Sequence, residues 1–181
     1  MSPEVFTGYV RRYCEWAESN KHDMETVHQL LLVLLEGAPG LTTLGVKERE
    51  RGFPGIRDEP PWSEYKRYAD FPFQCYPQVF WPREVDPKGP FTENIYEDFA
   101  HIYTELRHGL QVFDRGDSSS AFTYWRDSYF CHWGHHASAA VWGIEWYQPG
   151  IKSGEQAAAP NGGPAMPPAN SKAAEGPPSV S

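Results

Sequence analysis

The stretch Ser120–Tyr147, SAFTYWRDSYFCHWGHHASAAVWGIEWY, decides the fold. It holds no proline and runs into Gln148-Pro149-Gly150, a helix-stop signal. The spacing predicts one long helix. At about 100° per residue, Ala121, Trp125, Ser128, His132, His136, Ala139, Gly143 and Trp146 share a stripe. Two histidines therefore fall in the middle of the face expected to be buried. The small residues Ser128, Ala139 and Gly143 leave room beside them.

Upstream, Ile95, Phe99, Ile102, Leu106, Leu110 and Phe113 recur at helical spacing behind a Thr92 cap. Arg115-Gly116-Asp117 is a tight connection, so these two helices are expected to form an antiparallel hairpin. At the N-terminus, Ser2 and Pro3 open a helix with Val5, Phe6, Tyr9, Tyr13 and Trp16 on its apolar face. Asp23 caps another, which buries Met24, Val27, Leu30, Leu31, Leu34 and Leu35 and is interrupted at 37–40. A short turn of helix is expected through Leu41–Leu44. Gly45–Pro61 reads as a charged loop, Trp62–Ala69 as a short helix and Asp86–Pro90 as a turn. Phe71–Pro82 is aromatic and proline-rich, and no regular structure is expected there. It reads as a lid burying Phe73, Tyr76, Phe80 and Trp81, or as a docking surface for a protein partner. The expected fold is all-α: an up-and-down bundle of four main helices with short accessory helices over residues 1–149. A disordered Pro/Ala/Gly/Ser-rich tail follows over 150–181.

Composition narrows the function classes. The net charge is -8 and no Lys/Arg stripe occurs, so a nucleic-acid partner is not expected. The longest apolar run, Leu30–Leu35, is too short to span a bilayer. Three dispersed cysteines make neither a disulfide framework nor a metal knuckle. With no basic-then-apolar leader, these features lead us to expect a cytoplasmic protein. Aromatic residues reach 15%, a content compatible with homodimerisation.

His132 and His136, one helical turn apart, can offer two ligands to one divalent cation such as zinc, iron or manganese. Asp98, beside Ile102 on the neighbouring helix, is the expected third ligand; Glu105 lies further round, and His101 further still. Two histidines and a carboxylate with an open position suit hydrolytic or oxygen-handling chemistry. A small-molecule pocket would draw on Trp125, Arg126 and Ser128; Arg126 otherwise pairs with a carboxylate at the hairpin. In the bland alternative, the histidines are structural, satisfied by a carboxylate or a carbonyl, within a non-enzymatic interaction module. Buried and metal-free, they would be neutral near pH 7, and acid would destabilise the fold below about pH 6. Glu25-x-x-His28 and Glu105-x-x-His108 match half of a di-metal motif, but Glu25 and His108 point off their stripes, so both read as surface pairs. Cys14 and Cys131 read as packing residues.

Ile95–Leu106 (IYEDFAHIYTEL), Gly109-Leu110, Trp125-Arg126-Asp127-Ser128 and His132-Trp133-Gly134-His135-His136 carry a resemblance. Over about Phe80–Trp146 the chain resembles a bacterial family of small helical proteins, domain of unknown function 5063. Its pattern runs Asp-Leu-x-x-Ile-Tyr-x-x-Leu-x-x-Gly-Leu, then Trp-x-Trp-Arg and His-Trp-Gly-x-His. His101 stands where that pattern has an acidic residue, and Thr123 where it has its first tryptophan. The resemblance implies a helical domain with Asp98, Trp125, Arg126, His132, Trp133, Gly134 and His136 on motif positions. It implies no activity.

Overall fold

Local capping chemistry sets where the helices begin. In the computed structural model, which describes residues 1–41, 60–77 and 92–147, helix α1 spans Pro3–Glu18. The Ser2 hydroxyl accepts from the Val5 amide at 3.4 Å. Helix α2, Met24–Gly37, is capped by Asp23, whose carboxylate accepts from Thr26 N at 2.8 Å. A 3-10 turn, Ala38–Gly40, follows it. The α1 stripe is Phe6, Val10, Tyr13 and Ala17, flanked by Cys14 and Trp16. Val5, expected on that face, is exposed, and Tyr9 is only partly buried. The α2 stripe is as read, with Val27, Leu30, Leu31 and Leu34 closed off and Met24 and Leu35 partly buried.

Two expectations fail between α2 and the next long helix. After the short helix α3, Trp62–Lys66, the chain does adopt regular structure. Strand β1, Cys75–Pro77, pairs antiparallel with β2, Thr92–Asn94, with Cys75 opposite Asn94. The long helix α4, Ile95–Asp114, is therefore capped by Asn94, which accepts from Tyr96 N at 3.0 Å, and not by Thr92. The lid reading holds for the described part of its segment. Phe71 and Tyr76 are buried, and Phe73 stacks on Tyr147 at 4.4 Å. Phe71 and Tyr68 also pack edge-on to Phe99 of α4. Phe80 and Trp81, residues 42–44, the loop up to Glu59, the 86–90 turn and the tail from 150 lie outside the described residues.

Beyond α4, Gly116 at φ 91° turns the chain, a conformation that favours glycine. Asp117 then caps helix α5, Ser118–Ser128. Side-chain partners run in opposite senses along the two helices. Phe113 meets Phe122, Leu106 meets Trp125, Glu105 meets His132 and Asp98 meets His136. The hairpin is antiparallel, as the short connection predicts.

The stretch expected to be one α-helix is not uniform. Residues Tyr129–Trp133 form a π-helical turn, and helix α6 resumes at Gly134–Tyr147. Helix α1 packs on α2 and α4, α2 on α6, and α4 on α5 and α6. Among the described residues the fold is mostly helical, with one two-stranded sheet. No described helix is long and apolar enough to cross a membrane.

Candidate metal centre

The π-turn resets the face of the last helix. Ala121, Trp125 and Ser128 are buried as the α-helical spacing requires. A π-turn holds about one residue more than an α-turn. The buried positions therefore continue at Trp133, Ala137, Ala140 and Ile144, one residue later than a uniform helix would place them. His132 and His136 thus move from the centre of the buried face to its flank, with side chains 14% and 20% exposed. Opposite them, α4 presents Asp98, His101 and Glu105. At i, i+3 and i+7 they form a polar stripe on one side of that helix, and all three are buried.

The stripes meet side chain to side chain. His136 Nδ1 lies 2.9 Å from Asp98 Oδ1, and the Tyr76 hydroxyl donates to Asp98 Oδ2. His132 Nδ1 lies 3.0 Å from Glu105 Oε1, and the Tyr124 hydroxyl donates to Glu105 Oε2. The same relay, tyrosine to carboxylate to imidazole, is built twice. An ionised carboxylate only accepts, so in the state where the carboxylate is ionised Nδ1 of its ring carries the proton and Nε2 the lone pair. Ligand atoms of His101, His132 and His136 lie within 4.8 Å of one another, a grouping that can hold a metal ion. The His101 ring stacks on His136 at 4.4 Å and 5°, and meets His132 edge-on at 5.0 Å.

This geometry redistributes the expected roles. His132 and His136 do come together, and Asp98 does reach one of them. However, Asp98 stands behind His136 as its hydrogen-bond partner, and the third residue of the cluster is His101. Glu105, read as half of a surface pair with His108, is 2% exposed and bonded to His132. His108 instead packs its ring on Tyr124. Glu25 hydrogen-bonds Gln29, and His28 is buried with Nε2 3.4 Å from Glu145. Trp125 and Ser128 are closed inside the core. The indole N–H donates to Leu106 O at 3.1 Å, and the hydroxyl donates to Tyr124 O at 2.8 Å. Arg126 pairs with its own neighbour Asp127 at 2.9 Å, not with a carboxylate at the hairpin turn. Cys14 is buried as read, whereas Cys131 is exposed.

Residues 72–145 match the family model described as Domain of unknown function (DUF5063). The matched span holds both strands and α4 through most of α6. It therefore contains all three imidazoles, both carboxylates and both tyrosines of the relays. Helices α1 and α2 lie outside the DUF5063 match. No curated protein and no solved structure matches the chain.

Burial governs the titration of the Asp98–His136 pair in the DUF5063 region. It raises the Asp98 carboxyl to about 7, against the pull of the Tyr76 hydroxyl and of His135. It lowers His136 to about 4, assisted by His132 and His135. The His136 contribution to stability is present above its unfolded value of about 6.5 and is lost as pH falls toward 4. The Asp98 contribution has the opposite sign, present below about 3.9 and lost as pH rises through 7. Between about pH 4 and 6.5 the two residues together hold one proton in both folded and unfolded chains, so their contributions cancel. The acid sensitivity expected from buried histidines alone is thereby suppressed. Asp98→Asn removes one arm. In chelator-treated protein, urea unfolding of that variant should lose on the order of 3 kcal/mol between pH 6.5 and 4 relative to wild type. Parallel pH profiles for the two proteins would contradict this account.

Proposed function

We propose that the domain, read as an up-and-down bundle of four main helices, binds one divalent transition metal through His101, His132 and His136. The observation that carries this reading is the doubled relay behind His132 and His136. A carboxylate on the far nitrogen fixes the tautomer and raises the basicity of a metal-binding imidazole. Here each such carboxylate is fixed in turn by a tyrosine hydroxyl. A purely structural histidine needs one acceptor, and that requirement gives no reason for three imidazoles to gather within 4.8 Å. Three nitrogen ligands leave a fourth position for water or substrate, the pattern of catalytic rather than structural zinc. An all-imidazole set suits zinc or iron better than manganese, which favours oxygen ligands, and hydrolytic or oxygen-handling chemistry would follow at the open position.

Protein expressed without a chelating tag should carry close to one equivalent of transition metal by elemental analysis. Stripped protein should regain it from zinc or cobalt, with a rise in thermal midpoint set by mass action. Trace metal only, and a midpoint that zinc leaves unmoved, would return the histidines to a structural role.

A further inference from the structure

Beside the three imidazoles, α4 brings a further donor to the same place. Glu97 lies one helical turn before His101, on the same face of that helix. Its Oε1 is 4.0 Å from His101 Nε2. Donor atoms held at about 2.0–2.2 Å from one ion sit roughly 3.0–3.4 Å apart, so sharing an ion asks the pair to close by about 1 Å. The Glu97 side chain is 49% exposed, which leaves it room for so small an approach. Its charge also acts on His136, across the hairpin, where it favours the protonated ring against the effect of burial. One carboxylate thus bears on imidazoles from both helices.

The two relay carboxylates occupy a different place. Asp98 and Glu105 are buried, and each stands behind an imidazole at Nδ1. Glu97 instead stands at the solvent edge. Helix α4 therefore presents Glu97-x-x-x-His101 to the facing His132-x-x-x-His136, two pairs with the same spacing. Resting on the metal reading above, we propose that Glu97 is a fourth protein ligand, so that one ion takes three imidazoles and one carboxylate. A mixed nitrogen and oxygen set favours iron(II) over zinc. In octahedral geometry it still leaves two positions for water or substrate, so the centre stays open. A carboxylate in the first turn also complements the helix dipole, but that role is independent of metal.

Cobalt(II) added to stripped full-length protein is the probe. Glu97→Gln should weaken its binding roughly 100-fold, while the urea midpoint of the stripped variant stays close to that of wild type. Glu97→His should recover most of that affinity and raise the imidazoles on the metal from three to four by X-ray absorption. A Glu97→Gln protein that binds cobalt as tightly as wild type would overturn the proposal, whether or not its stripped form is less stable, and would leave Glu97 to the helix dipole. So would a Glu97→His protein that still shows three imidazoles. In both cases the three-histidine centre would stand. Wild type that takes up no cobalt would instead defeat the metal centre itself, and Glu97 as its ligand with it.

Discussion

Gly109→Ala is expected to destabilise the fold by about 3 kcal/mol, although alanine is the better helix former by about 1 kcal/mol. A Cβ at 109 would lie 2.1 Å from Trp125 Nε1 and 2.6 Å from two ring carbons. The indole has nowhere to retreat. It is fully buried, with Phe6, Phe122 and Phe113 around it at centroid distances of 5.6, 6.0 and 6.4 Å. Overpacking of this kind costs about 1–3 kcal/mol. Displacing the ring also breaks its bond to Leu106 O, and a buried N–H left without an acceptor costs a further 1–3 kcal/mol or so. Gly8 supplies the control. It is exposed on α1, and a Cβ there meets nothing within 4 Å. Gly8→Ala should therefore be neutral or stabilising by up to about 1 kcal/mol. Urea midpoints at constant slope measure both, and a Gly109→Ala midpoint equal to that of wild type would refute the packing argument.

His136→Ala is expected to weaken metal binding by on the order of a thousandfold. Structural zinc sites are worth about 10–16 kcal/mol over four ligands, or roughly 2.5–4 kcal/mol for each. Losing His136 should cost at least that share. The substitution removes an anchored ligand and the surface on which His101 rests, and it leaves Asp98 buried with only the Tyr76 hydroxyl from its relay. Competition against a chromophoric chelator gives the affinity. Asp98→Asn keeps the ring and should lose only about 10–100-fold, the range for outer-shell partners. If His136→Ala bound zinc as tightly as Asp98→Asn does, His136 would not be a ligand.

Much of this was legible before any coordinates. The Ser2 and Asp23 caps and the apolar stripe of α4 are local features, decided within a turn or two of chain. The two-stranded sheet was not, because three-residue strands are too short to show a two-residue period, and Pro77 argues against a strand. The π-turn leaves a trace in the sequence itself. Trp133, Ala137, Ala140 and Ile144 form a stripe of their own, one position out of phase with Ala121, Trp125 and Ser128. That phase break is what a single inserted residue produces. Likewise, Asp98, His101 and Glu105 are spaced i, i+3, i+7, a buried polar line beside the apolar one. Singly, Asp98 reads as a third ligand and Glu105 and His101 as lying further round; taken together, the three form one wall facing His132 and His136.

Gly134 decides who can reach that centre. A Cβ there would come within 2.6 Å of the Tyr129 carbonyl and 2.7 Å of the Tyr129 ring, so the bulged backbone depends on a bare α-carbon. Without the bulge, the same two imidazoles would be aimed into hydrocarbon, shut away from any passing solute. With it, they stand at a threshold, backed by the interior on one side and with 14% and 20% of their side chains exposed on the other. One missing methyl group thus provides the doorway.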